Sequence, residues 1–272
     1  MTKHTHVLNN AEILQRLWEL GYFYDKSFAQ VKDLSGRALE RAVKAYQRFC
    51  GLDPSGHVDE RTANLMSRRR CGLPDMQLRD DTLCKWPMNR IAYFSELTLP
   101  GLSVEQVTTA YDIACQQWSA VCGVELIRAK SYRSANIHAR SGVGGKNGLD
   151  SRGGTLAWSD TPCDVRHNSR IKQMYDEAED WSFNMLVAVA CHEVGHALGL
   201  PHLPKGNLMG AYFDPNVTTP QKGDIREIVL RYGKAKKLVN RASRKSAAVA
   251  PAFDVGGTIY INGQPFVLVP KT

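Results

Sequence analysis

The stretch His192-Glu193-Val194-Gly195-His196-Ala197-Leu198-Gly199-Leu200-Pro201-His202 decides how this chain is read. It closes an apolar run, Asn184–Leu198, that predicts a helix ended by Gly199. Residues four apart on a helix project from one face, so His192 and His196 present their imidazoles together. A zinc ion about 2.0–2.1 Å from each nitrogen can bridge that spacing. Gly199 lets the chain bend back, which can bring in His202 as a third ligand. Three protein ligands leave one position for water, the arrangement of a catalytic site, and zinc lowers the pKa of such a water to about 7. Glu193, next to the first ligand, is the candidate general base and acid. A bare H-E-x-x-H arises often by chance. The apolar helix, the glycine and the third histidine at these offsets set this one apart from ordinary helix-end histidines.

Outward from this string, the 272 residues allow one or two domains with a real core. The hydrophobic share of 43% and the charged share of 23%, with 22 Gly and 12 Pro, exclude a collagen-like, wholly disordered or coiled-coil chain. The longest strongly apolar stretch, around Met185–Ala190, falls far short of the ~20 residues of a membrane span, so no span is expected. Met1–Asn10 is polar and shows no secretory signal. Much of the net charge of +8 sits in residues 234–245, which read as a solvated linker, so nucleic acid is not the expected partner. Seven cysteines without an export signal predict few or no disulfides.

The first block reads as helical. Ile13, Leu14, Leu17, Trp18 and Leu20 form one stripe ended by Gly21; Leu39, Ala42, Val43, Tyr46 and Phe49 form another. A turn at Asp53–Gly56 and a short helix near Thr62–Met66 follow, and a polar stretch to Lys85 reads as a linker. From Trp86 the pattern is mixed. Arg90–Phe94, Val124–Ala129, Asn136–Arg140 and Thr155–Trp158 are strand candidates, and 142–154 is a glycine-rich loop. Ser103 and Gln106 make a capping box for a helix burying Val104, Val107, Tyr111, Ala114, Trp118 and Val121. Thr219-Pro220 is expected to open a last helix with Ile225, Ile228, Val229 and Tyr232 inward. Residues 258–269 read as a hairpin turning at Asn262-Gly263.

The zinc string, with Met209 a few residues beyond it, resembles the matrix metalloproteinases (matrixins, within the metzincin peptidases) over roughly residues 10–233. Gln47-Arg48-Phe49-Cys50-Gly51-Leu52, Ser55-Gly56, Asp59 and Thr62 are similar to the family's peptidoglycan-binding-like propeptide. Arg70-Cys71-Gly72-Leu73-Pro74-Asp75 resembles its cysteine switch, with Arg69 standing where the family usually has proline. The resemblance implies an α+β protein: a small all-α leader, then a twisted, mostly parallel sheet with an antiparallel edge strand and three main helices. It divides the chain into leader (1–75), activation linker (76–85), catalytic domain (86–233), basic linker (234–252) and a hairpin tail of unknown role (253–272).

It further implies a latent zinc endopeptidase. Cys71 would fill the fourth zinc position until the leader is removed, with Arg70 and Asp75 pairing to hold its loop. Met209 would be the hydrophobic base under the metal, and Leu156 and Ala157 the edge strand that pairs with substrate. Asp150, Asp176 and Glu179 are hard oxygen donors for a calcium ion. The family's second, structural zinc is expected to be absent, because Trp158 and Met174 replace its histidines. His4, His6, His57, His138 and His167 read as surface or packing residues, and Cys115, Cys122 and Cys191 as buried thiols. The expected partner is a protein or peptide substrate, the expected state a monomer, and the implied compartment extracellular. Two rival readings stand beside this one. The first block could instead be a module that recognises cell-wall glycan, or the chain could be a structural or nucleic-acid-binding protein that only retains a metal site. Glu193 argues against the latter, since a purely structural zinc needs no base.

Overall fold

A computed structural model of the chain describes residues 9–23, 26–33, 36–76, 84–144, 149–150, 152–164 and 170–235, and the backbone of 258–261 and 264–267. The first block folds as α1 (Asn10–Glu19), α2 (Phe28–Lys32), α3 (Gly36–Phe49) and α4 (Glu60–Met66). Asn9 and Glu12 close a capping box at the start of α1. The two expected stripes meet in a core that includes Ile13, Leu17, Leu20, Val43, Tyr46 and Met66. Within it the buried Gln47 amide is fully engaged. Its nitrogen donates to the His57 carbonyl at 2.8 Å and to the Ser55 and Thr62 hydroxyls at 3.1 Å, and its oxygen accepts the Gly56 N–H at 2.9 Å. Helix α2 was not anticipated, because five residues are too few to show a helical period.

The second block builds β2 (Arg90–Ser95), α5 (Val104–Val121), β3 (Glu125–Arg128), β4 (Ile137–Gly142), β5 (Thr155–Ser159), β6 (Ile171–Asp176), α6 (Phe183–Ala197) and α7 (Lys222–Tyr232). One sheet runs in the order β1-β5-β6-β4-β2-β3, where β1 is Arg70–Cys71 of the first block. Only β5 against β6 is antiparallel. Strand β5 would be the edge of the second block's own sheet, but here β1 covers it. Helices α5 and α6 pack against each other, and the buried Trp118 indole donates to the Cys191 carbonyl at 2.7 Å between them. At the end of α6 the Trp86 indole donates to the Ala197 carbonyl at 2.8 Å, which docks the start of this block.

Several expectations are corrected. Val104 is 75% exposed, because it is the first residue of α5 and lies outside the stripe. The last helix begins at Lys222 with Gln221 as its cap, since Asp224 accepts the Gln221 N–H at 2.7 Å. Strand β6 was not anticipated. Its inward residues include Gln173, a polar side chain kept in the core by the Tyr111 hydroxyl at 2.6 Å. One disulfide joins Cys84 to Cys163, within the few or none expected, and the other five cysteines are free.

Among the described residues no helix is long and apolar enough to cross a membrane. Thr258–Ile261 pairs antiparallel with Gln264–Val267 as a separate hairpin unit. The basic linker beyond Ala235, linker residues 77–83, His4, His6 and His167 lie outside the described residues.

Candidate metal centre

Helix α6 is buried along nearly its whole length, so its polar residues must find partners inside the fold. The His192 Nδ1–H donates to the Leu208 carbonyl and the His196 Nδ1–H to the Leu200 carbonyl, each at 2.7 Å. A carbonyl can only accept, so both rings carry their proton on Nδ1 and a lone pair on Nε2. Those two Nε2 atoms face each other 2.9 Å apart. Burial lowers the pKa of His192 to about 3 and that of His196 well below the ordinary value, so both rings are neutral. Two lone pairs at that separation repel unless a cation lies between them.

The chain then turns back at Gly199, whose φ of +92° and closeness to the Cys84 carbonyl leave no space for a side chain. The turn returns His202, whose ring centroid lies 5.5 Å from that of His192 and 4.8 Å from that of His196. Its Nε2 is buried without a hydrogen-bond partner, and its Nδ1 lies 3.4 Å from Asp75 Oδ1. Cys71 completes the group: one ligand atom from each of Cys71, His192, His196 and His202 lies within 4.8 Å of the others. Three imidazole nitrogens and a sulfur form a donor set that suits zinc, so the residues present fit that ion. Each Nδ1–H of His192 and His196 on a carbonyl also fixes the tautomer a metal needs. Among the described residues no other set of His, Cys, Asp and Glu converges in this way.

Glu193 is fully buried, with neither carboxylate oxygen hydrogen-bonded, and burial pushes its carboxyl up to about 8. Cys71 is the polar side chain beside it, and burial drives that thiol well above its ordinary value. Met209 is buried beneath, against Gly195, where any Cβ would collide with its sulfur. The Met209 turn is held by Asp224, which accepts the N–H groups of Leu208 at 2.8 Å and Met209 at 3.0 Å.

Backbone pairing sets the position of Cys71. Arg70 N–H donates to the Gly154 carbonyl at 2.7 Å, Cys71 N–H to Ala211 at 3.0 Å and Gly72 N–H to Ala157 at 2.8 Å. The segment therefore lies between β5 and residues 210–213. Leu156 and Ala157 are both buried there, and the Ala157 carbonyl is taken by Gly72. Arg70 is wholly buried and grips both oxygens of Asp75, with Nη1 to Oδ2 at 3.2 Å. Its Nε also donates to the Cys71 carbonyl at 3.0 Å, and its guanidinium lies 4.9 Å from the Tyr212 ring centre. Burial alone would raise the pKa of Asp75, but Arg70 holds that carboxyl below the usual range. The Tyr22 hydroxyl donates to the same carboxylate at 3.0 Å.

The three candidate calcium carboxylates have protein partners. Asp150 accepts Thr155 N–H at 2.7 Å and stands 3.4 Å from Arg16; Asp176 accepts Ala178 N–H at 2.8 Å. Glu179 accepts Gly153 N–H and lies 3.1 Å from Arg69 Nε. Trp158 and Met174 stand opposite each other across β5 and β6. His138 lies 2.9 Å from Glu96 and stacks on Tyr132.

Sequence reasoning missed four residues around the centre: Arg16, Arg69 as a pairing residue, Tyr212 and Asp224. Asp224 was findable, three residues after its cap. Tyr212, which packs into the first block's core, gives no local signal.

A family model described as matrixin matches residues 85–233, and one for a peptidoglycan binding domain matches residues 11–66. Matrix metalloproteinase-20 of Homo sapiens is 29% identical over 237 residues, 81% of this chain and 48% of its own length. Metalloendoproteinase 1-MMP of Arabidopsis thaliana is 32% identical over 230 residues, 73% of this chain and 61% of its own. Interstitial collagenase of Sus scrofa is 31% identical over 218 residues, 76% of this chain and 45% of its own. The chain thus spans about half the length of these relatives.

Proposed function

The chain belongs to the matrixin family, and from that premise we propose that it is a zinc-dependent endopeptidase made as a latent zymogen. The observation that carries this reading is the pair of facing Nε2 lone pairs, 2.9 Å apart, with the Cys71 thiol in the same cluster. His192, His196 and His202 would hold the zinc, and Cys71 would be its fourth ligand in the latent chain. When bound, zinc supplies Lewis acidity toward a peptide carbonyl and acidifies water.

The chain's own residues do the rest. Once Cys71 has left, Glu193 takes a proton from the attacking water on its carboxylate and delivers it to the leaving amine nitrogen. The Ala157 and Ala211 carbonyls, which accept Gly72 and Cys71 in this chain, become acceptors for substrate backbone, with Leu156 beside them. Met209 supports the imidazoles from below. The leader ends at Asp75, residues 76–85 form the activation segment, and the peptidase proper runs from 86 to 233.

The substrate is protein or peptide and the compartment extracellular, as for secreted members of the family. In the mature form Asp150, Asp176 and Glu179 bind calcium. No second zinc sits at Trp158 and Met174, because an indole and a thioether replace imidazoles there. A second reading, targeting to cell-wall glycan, is favoured by the match of residues 11–66; retention of the chain on peptidoglycan would support it.

The test measures zinc content and peptide cleavage before and after removal of the leader. One zinc per chain is expected, with cleavage only after removal. Glu193→Ala should lower cleavage by about 10³-fold or more while zinc stays bound. Full activity in that variant, or folded protein without zinc, would overturn the reading.

A further inference from the structure

The Cys84–Cys163 disulfide takes no part in the steps proposed above. Cys84 is buried and Cys163 exposed. The Cys163 end belongs to a tight turn after β5, where Asp164 accepts the Thr161 N–H and hydroxyl, each at 2.8 Å. The Cys84 end meets the turn that returns His202, because a Cβ on Gly199 would collide with the Cys84 carbonyl oxygen. The residues after Cys84 hold the end of the same helix. Trp86 donates its indole N–H to the Ala197 carbonyl at 2.8 Å and its backbone N–H to the Tyr232 hydroxyl at 2.9 Å. That hydroxyl donates in turn to the Leu198 carbonyl at 2.9 Å. The last carbonyls of a helix have no partner within it, so this segment caps α6 where the chain leaves for His202. Lys85 Nζ donates to the Arg231 carbonyl at 3.1 Å. In the uncut chain His202 has a second support, from the first block. Asp75 Oδ1 lies 3.4 Å from its Nδ1, and the Phe49 ring centre 6.3 Å from its own.

We propose that the Cys84–Cys163 disulfide is a positioning brace for the metal centre: it pins Cys84, Lys85 and Trp86 against the Gly199 turn and so keeps His202 in place once the first block has gone. The proposal rests on the zymogen reading in treating the first block as the part that leaves. Its departure removes Asp75 and Phe49 from beside His202, and the Gly199 turn then depends on the segment that begins at Cys84. A cut frees one end of that segment, and the bridge is the covalent tie that remains on that side. The activating cut must therefore fall before Cys84. A cut beyond it would leave the first block attached through the bridge, with Cys71 still at an effective concentration near the millimolar range.

The test follows the full, zinc-loaded chain before and after the activating cut, unsubstituted and with Cys84→Ser and Cys163→Ser together. It reads amide hydrogen exchange by mass spectrometry and the rate at which a chelator takes the zinc. After the cut, the double variant should exchange residues 198–203 and lose zinc about tenfold faster than the unsubstituted chain. Before the cut, with Asp75 and Phe49 still beside His202, the difference should stay within about twofold. A general loss of stability would act on both forms alike, and on residues 185–190 as much as on 198–203. A water-soluble phosphine gives a second measurement without substitution. Disulfide, phosphine and water yield two thiols and a phosphine oxide, and the cut chain should show the same tenfold changes. Equal rates in bridged and opened chains, equal effects before and after the cut, or an active form that begins beyond Cys84 would overturn the brace. An uncut chain that holds no zinc, or that cleaves peptide, would instead overturn the zymogen reading, so the two failures are distinguishable.

Discussion

The first block, read here as a leader, touches the second in two places that work by different physics. At the metal centre Cys71 stands among three histidines inside the fold, and Arg70 and Asp75 behind it are sealed from water. At the carboxylate loop Arg69 and Arg16 meet Glu179 and Asp150 with one partner of each pair partly exposed. The first contact depends on the identity of atoms, since a thiol and imidazoles select a metal. The second depends on charge alone and weakens as salt screens it.

The largest difference should come from Cys71→Ala. Without the sulfur the uncut chain should cleave a peptide substrate, whereas substitution at the carboxylate loop alone should leave it latent. Peptide hydrolysis by uncut protein is the measurement, and silence in Cys71→Ala would contradict the role given to the thiol. Next comes Asp75→Asn. It leaves Arg70 buried with a neutral partner, and breaking a buried pair costs about 3–5 kcal/mol. Cys71 alkylation by iodoacetamide should rise by some hundredfold or more and show little response to salt. The smallest effect belongs to Arg16→Ala, where the solvent-screened pair is worth ~0.2–1 kcal/mol and alkylation should rise only about twofold. An Arg16→Ala effect as large as that of Asp75→Asn would erase the distinction between the two contacts.

Legibility in the sequence follows the same divide. The histidines at 192, 196 and 202 can be read because a helical period and a glycine put chemistry into local spacing. Cys71 between Arg70 and Asp75 is likewise a local string. Arg69 could be marked as a departure, but its partner lies far along the chain and no period connects them. The same holds for Tyr212, and for Cys84 with Cys163, 79 residues apart. Strand β6 was hidden because Gln173 is polar and buried, a pattern that only its tertiary partner Tyr111 explains. In the leader the converse applies. Ser55, Gly56 and Thr62 looked like a loose motif, and all three prove to be partners of a single buried amide, Gln47.

Tyr212 belongs to the peptidase but packs against the leader's core, its hydroxyl 2.5 Å from that of Tyr46. The core of the first block is thus lined at its border by one aromatic ring from the second block. Removal of the first block, as proposed above, would take that ring from its place beside Tyr46. On the zymogen reading, a released first block is less stable than a seated one, because its core has lost a side chain that it packs against.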